Sequence, residues 1–278
     1  MKTTVEDLIV YGKQHINSMH AKMLLADILK VNTLALYTML DKEVAPADIA
    51  LYKKEIEALK QEQPLQYVIG SVNFYGEKFS VNNNVLIPRF ETEELVEYIV
   101  QYLRQYPTKH FKILDLGCGS GVIGLTLKQL FPDRVEVTLV DISEKALDVT
   151  KENAQKQHLE ARFIKSNWFE QLEEESYDII VSNPPYLKPT EQIDPLVKNN
   201  EPALALYGGT DGLASYQEII KNSAAYLTPS SLLAFEIGQD QADEISNIIY
   251  RYFPDAIIDV KKDLQGRNRM IFVRFSTD

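Results

Sequence analysis

Apolar residues recur at helical spacing through the first 62 or so positions. Thr4 is placed to cap a first helix, with Asp7 three positions later and Leu8, Ile9 and Ile16 as its stripe. Ser18 is placed to cap a second, bearing Met23, Leu24, Ile28 and Leu29. Pro46 stands where a third should begin, ahead of Ile49, Leu51, Ile56 and Leu59. The pattern changes over 64–90, PLQYVIGSVNFYGEKFSVNNNVLIPRF, which is rich in β-branched and aromatic residues. It predicts a hairpin, Val72–Tyr75 with Lys78–Val81, around a turn at Gly76. From residue 91 onward, short apolar runs alternate with amphipathic stretches. Strands are predicted at Lys112–Leu116, Val135–Val140, Arg162–Lys165, Asp178–Ser182, Leu232–Ile237, Ala256–Val260 and Met270–Phe275. Helices fall between them, the one after Asp141 capped by Ser143. This alternation predicts a mainly parallel sheet covered by helices on both faces.

Composition narrows the class. The 278 residues are 45% apolar, enough to bury a core, and no uncharged run exceeds 14 residues, short of a membrane span. The N-terminus carries acids early and lacks the order of a signal peptide. Cys118 is the only cysteine, which excludes an internal disulfide framework and fits a reducing cytoplasm. The histidines at 15, 20, 110 and 158 have no metal-site spacing. A net charge of −11 disfavours nonspecific nucleic-acid binding, which depends on neutralising phosphates.

Chemistry concentrates at two strand ends. Ile113-Leu114-Asp115-Leu116-Gly117-Cys118-Gly119-Ser120-Gly121 puts alternating glycines between a strand and a helix. Glycine lets a ligand approach the main chain, and the helix N-terminus offers free N–H groups. Asp141, at the end of the next strand, can accept both hydroxyls of a ribose. Gly119–Gly124 matches a dinucleotide fingerprint, while the segment from Asp115 matches the D-x-G-x-G-x-G turn that cradles S-adenosylmethionine. The glycines alone leave both cofactors open.

Asn183-Pro184-Pro185-Tyr186 ends a buried strand, on the same edge of the sheet. As a bare tetrapeptide it reads equally as a turn. Its residues nevertheless suit transfer to a planar nitrogen, whose lone pair is delocalised and must be held in line. Asn183 offers an acceptor oxygen for one N–H and Pro184 a carbonyl for the other. Pro184 and Pro185 stiffen the backbone and bring no competing N–H, and Tyr186 offers a ring. In a dehydrogenase this tetrapeptide would have no role.

Taken together, VLIPRFETEELV at 85–96, LDLGCGSG at 114–121, VDIS at 140–143, SNWF at 166–169, VSNPPY at 181–186, EPALALYGGTDGL at 201–213, LLAFEIG at 232–238 and DLQGRNR at 263–269 resemble the PrmC/HemK family. Its members are methyltransferases that modify the N5 amide of glutamine in peptide-chain release factors. The resemblance implies a class I S-adenosylmethionine-dependent fold, Rossmann-like, with a seven-stranded mostly parallel sheet, a small all-α N-terminal domain and a β-hairpin bridge. It implies domains at 1–70 (helical, substrate recognition), 71–90 (hairpin linker) and 91–278 (methyltransferase). It further implies that Gly117, Cys118, Gly119, Ser120 and Gly121 hold the methionine end of the cofactor and that Asp141 binds its ribose. Trp168 would stack in the adenine pocket, although a core tryptophan is the competing reading. Asn183 would touch cofactor and substrate, and Asn183, Pro184, Pro185 and Tyr186 would grip the glutamine of a Gly-Gly-Gln loop. Asn183, Pro184 and Tyr186 are the implied catalytic residues, S-adenosylhomocysteine the product, and a cytoplasmic monomer without metal, membrane or sequence-specific nucleic-acid partner the implied state. Asn167 stands where the family often has aspartate, Phe90 where proline is commoner, and Cys118 where threonine is common. Arg89 and Glu93 either shape the substrate groove or form ion pairs at a helix start. Ribosomal-protein glutamine methylation and adenine-N6 DNA methylation are alternative activities for NPPY, the second disfavoured by charge. A non-catalytic cofactor-binding module is a further alternative.

Overall fold

The computed structural model describes residues 2–275. It has two compact units: the chain up to Ser71 together with Ile193–Asn200, and Val72–Gln192 together with the chain from Glu201 onward. The first is helical. Helices α1 (Val5–His15), α2 (Ser18–Ile28), α3 (Pro46–Lys60) and α4 (Leu65–Ile69) bury Leu8, Leu24, Leu25, Tyr52 and Ile56 in a common core. Thr4 and Asp7 form a reciprocal capping box on α1. The cap of α2 is Asn17 rather than Ser18: its side-chain oxygen accepts from the N–H groups of Met19 and His20. PLQYVIG, which lies ahead of the predicted hairpin, forms α4. Pro64 precedes it and Gly70, at φ +76°, ends it, so the caps override the β-branched content.

The second unit opens with the hairpin β1 (Ser71–Phe74) and β2 (Glu77–Ser80). Phe74 and Phe79 are buried in its main core, so the hairpin is packed structure. Helix α5 (Phe90–Arg104) buries Thr92, Leu95, Val96, Ile99, Val100 and Leu103, a stripe at helical spacing. There follow β3 (Phe111–Leu116), α6 (Val122–Leu130), β4 (Val135–Asp141), α7 (Glu144–Lys156), β5 (Arg162–Lys165) and β6 (Tyr177–Ser182). Next come α8 (Pro195–Asn200), which belongs to the first unit, then α9 (Ala203–Leu206), α10 (Ala214–Ser223), β7 (Leu227–Glu236), α11 (Ala242–Tyr252), β8 (Ile257–Lys262) and β9 (Asn268–Arg274). The sheet has seven strands in the order β5-β4-β3-β6-β7-β9-β8. Among these strands β9 alone runs opposite to the other six, pairing antiparallel with β7 and β8. One cluster built on α5, α6 and β3 covers one face, and one built on α10, α11 and β7 covers the other. No helix among the described residues is long and apolar enough to cross a membrane.

Candidate active site

Strand register assembles the site. Leu116 lies opposite Val140 on one side and Ser182 on the other, and Ser182 lies opposite Phe235. The residues that follow these strand ends are therefore neighbours: the glycine loop, Asp141, Asn183 and Glu236. Where parallel strands end, such adjacency makes a ligand crevice. A cavity of about 320 Å³ opens there, within the range of small-molecule sites. Its wall includes Gly117–Ser120, Asp141, Trp168, Asn183 and Pro185.

The glycine loop is held from below. The N–H groups of Gly117 and Cys118 both donate to the Val140 carbonyl, at 2.8 and 2.9 Å. The Thr150 hydroxyl donates to the Gly119 carbonyl at 2.7 Å. Gly117, Gly119 and Gly121 have φ values of +70°, +57° and +81°, which other residues rarely adopt. A Cβ on Gly117 would come within 3.4 Å of the Trp168 ring, whereas one on Gly121 would lie 2.6 Å from Thr150 Cγ2. Gly121 thus serves the seat of α6 on α7 and does not line the cavity. Asp115 lies under the loop, fully buried, and accepts the Gly124 N–H at 2.9 Å on Oδ2. Its Oδ1 has no hydrogen-bond partner among the described residues, and burial pushes its carboxyl up to about 7.

Asp141 accepts the Gly119 N–H on Oδ2 at 2.9 Å and the Ser143 N–H on Oδ1 at 2.8 Å. Burial raises its pKa against those two donors and the Ile142 N–H. Each oxygen keeps a lone pair for a hydroxyl donor. Trp168, at φ +51°, is half-buried on the same wall. Cys118 is buried 3.6 Å from the Thr150 hydroxyl, with its thiol pushed up by burial, a poor state for a nucleophile. Exposed Asn167 donates to Glu170 at 2.7 Å.

The tetrapeptide divides. Asn183 and Pro185 line the cavity, while Pro184 is buried and Tyr186 lines a second cavity with Gln241 and Arg269. Asn183 Nδ2 donates to Thr92 Oγ1 at 3.2 Å, and that hydroxyl donates to Glu236 Oε2 at 2.6 Å. Neither Thr92 nor Glu236 stands out in the sequence: both lie inside the quoted blocks VLIPRFETEELV and LLAFEIG, without a motif of their own. The stretch 202–215 also enters the wall. Gly208 and Gly212 let it press onto the tetrapeptide, since a Cβ at either would stand 2.4 Å from the carbonyl oxygen of Pro185 or Tyr186. Arg89 pairs with buried Glu201 at 2.6 Å, and Glu201 also accepts the Ile87 N–H. Glu93 accepts the Tyr75 N–H. Arg89 thus forms an ion pair at the start of α5, and Glu93 ties α5 to Tyr75 beside the hairpin.

Comparison with known proteins places this geometry. Residues 95–205 match the methyltransferase small domain and residues 15–70 the PrmC N-terminal domain. A release factor glutamine methyltransferase from Streptococcus pneumoniae is 39% identical over 237 residues, 84% of this chain and 83% of that protein. One from Clostridium botulinum is 36% identical over 97% of this chain and 99% of its own length. The chain belongs to the release factor glutamine methyltransferase family. Solved structures agree on the fold. A methyltransferase from Pyrococcus furiosus superposes with TM-score 0.53 at 16% identity, over 72% of this chain and 89% of that one. A 16S rRNA N2 G1207 methyltransferase from T. thermophilus, solved with AdoMet and guanosine, gives 0.54 at 19%, over 74% and 50%. Membership accounts for the seven-stranded, mostly parallel sheet and for the helical N-terminal region.

Proposed function

We propose that this protein transfers a methyl group from S-adenosylmethionine to the side-chain amide nitrogen of the glutamine in the Gly-Gly-Gln motif of peptide-chain release factors. The single observation that carries the reading is that Asn183 and Asp141 share one cavity with Gly117 and Gly119, on neighbouring strand ends. The residues suit the methyl donor: glycines without a Cβ allow close approach, Asp141 presents a carboxylate to ribose hydroxyls, and the Trp168 ring offers a stacking face. When bound, the cofactor supplies an electrophilic methyl on a positively charged sulfur.

The protein's part is orientation. Asn183 Oδ1 accepts one hydrogen of the glutamine NH2, and the Pro184 carbonyl is assigned the other. Held by both, the nitrogen presents its lone pair to the methyl carbon. Positioning of this kind supplies on the order of 7–11 kcal/mol of a barrier. With the cofactor bound, the glutamine nitrogen would exchange one N–H bond for one N–C bond, its proton passing to water, and the cofactor would leave as the neutral thioether. No residue need act as a base beforehand, because the nitrogen becomes acidic only as the new bond forms. The helical unit is assigned recognition of the release factor.

Incubation with methyl-labelled S-adenosylmethionine and purified release factors, followed by peptide mass spectrometry, tests the proposal. Label on the Gly-Gly-Gln glutamine is expected. Label confined to a ribosomal protein or to DNA would contradict it.

A further inference from the structure

A carboxamide accepts at one edge and donates at the other, and a half-turn about its last bond exchanges the two. The proposed chemistry uses only the oxygen of Asn183, so the turn has to be fixed. Nδ2 stands 3.2 Å from Thr92 Oγ1, and that oxygen stands 2.6 Å from Glu236 Oε2. A hydroxyl has a single hydrogen. Facing an ionised carboxylate, which only accepts, Thr92 commits that hydrogen to Glu236 and turns a lone pair toward Asn183. Asn183 can meet a lone pair only with N–H.

We infer that Thr92 and Glu236 form a directional relay that locks the Asn183 carboxamide with Oδ1 toward the reacting nitrogen, which makes both of them positioning residues for methyl transfer. The inference rests on the role given to Asn183 above.

The surroundings support it. Thr92 and Glu236 are 3% and 2% exposed. They arrive from different elements, the first turn of α5 and the last residue of β7. A buried carboxylate without a full ion pair is costly to keep, which calls for a reason. Arg269 attracts Glu236, while its Nη1 donates to the Ile237 carbonyl and its Nε lies 3.5 Å from Asp263 Oδ2. Burial pushes Glu236 up to about 7. Glu91 adds to that shift, and Thr92, Arg269 and the Asn183 amide oppose it. The phenols of Tyr186 and Tyr216 face it from the tetrapeptide and α10. Once protonated, Glu236 can donate to Thr92. The Thr92 hydrogen is then free to turn toward Oδ1, and the lock is lost.

Thr92→Val keeps the shape and removes both hydrogen-bonding roles. Thr92→Ser keeps the hydroxyl. Glu236→Gln removes the acceptor-only partner: its carboxamide can turn either edge to Thr92, so the direction of the relay is no longer enforced. Two readouts apply to the full-length protein. The first is kcat and KM for methyl transfer to a release factor, with S-adenosylmethionine affinity by calorimetry as the check on the fold. Thr92→Val and Glu236→Gln are expected to lower kcat by about 100-fold, leaving KM and cofactor affinity near wild type, and Thr92→Ser to restore most of kcat. Wild-type kcat should rise with pH through about 7, and Glu236→Gln should lose that rise. The second readout needs no turnover: the side-chain 15N–H2 pair of Asn183, assigned by its loss in Asn183→Ala. It should exchange slowly with solvent in the wild type and move toward free-carboxamide positions in Thr92→Val. A Thr92→Val protein with wild-type kcat and an unchanged Asn183 signal overturns the inference, as does Thr92→Ser impaired as badly as Thr92→Val. If Thr92→Val does not fold, Glu236→Gln with wild-type kcat and a flat Asn183 response overturns it equally. If release factors are not the substrate, the spectrum still decides the relay, so the two failures are distinct.

Discussion

Asn183 lines the cavity and has one edge of its carboxamide engaged. Its nitrogen is held by Thr92, so its oxygen is the group available to an incoming amide. Asn183→Ala removes that acceptor while leaving the glycine loop and Asp141 in place. Turnover should fall by at least about 100-fold, and calorimetry should find cofactor affinity far less affected. Asp141 lines the same cavity. Asp141→Ala removes charge-assisted acceptors that contribute roughly 1.5–3 kcal/mol each, so titration calorimetry should show S-adenosylmethionine bound about ten-fold more weakly or worse; undiminished affinity would refute the ribose assignment. These residues were legible in the sequence because glycines, an acid and NPPY sit at strand ends in recognisable spacing. Thr92 and Glu236 were not. A threonine in a helix's first turn and a glutamate after an apolar strand acquire meaning only when β6 and β7 pair in register and set Glu236 beside Asn183.

At the scale of elements, two junctions hold the cavity in shape. Asn153 of α7 accepts the Ser80 N–H at 2.6 Å and donates to the carbonyls of Ser80 and Ser120, at 3.1 and 2.9 Å. It fastens the hairpin and the glycine loop to one helix. Asn153→Ala should cost about 1–3 kcal/mol for each buried group left unpaired, read as a lower urea midpoint. Gly121 is the other junction. Gly121→Ala meets Thr150 at 2.6 Å and keeps a positive φ, so a loss on the order of 1–3 kcal/mol is expected by the same measurement. The principal strands and helices follow from periodicity to within a few residues. The short helices do not: α4, α8 and α9 span five, six and four residues. That is too short for a 3.6-residue period to declare itself. In α4 the deciding information lies in the flanking Pro64 and Gly70, not in the composition between them.

For the molecule as a whole, burial of Asp115 and Glu236 couples the fold to pH. Both carboxyls are raised to about 7 from values of 3.8 and 4.5. Over that interval the folded state holds more protons than the unfolded state. Their contribution is therefore fully present below about pH 4 and is lost as pH rises through about 7. Asp115→Asn should remove its share, so stability from urea unfolding should fall less between pH 5 and pH 8 in the variant than in the wild type. An identical fall in both would contradict the burial argument. Net charge bears on partners at this scale too. A net charge of −11 disfavours general attraction to nucleic acid, in keeping with the proposed protein acceptor. Division into a helical unit and a sheet-bearing unit was visible in the change of periodicity near residue 64. The return of residues 193–200 to the first unit was not, because a crossing segment leaves no signature in local pattern.

The most direct test is single-turnover transfer of a labelled methyl group to a purified release factor by wild-type protein and by Asn183→Ala, with cofactor affinity measured on the same preparations. The account predicts rapid labelling of the Gly-Gly-Gln glutamine by the wild type, and a variant that binds S-adenosylmethionine yet transfers at least about 100-fold more slowly. A variant that labels the glutamine at the wild-type rate would contradict it.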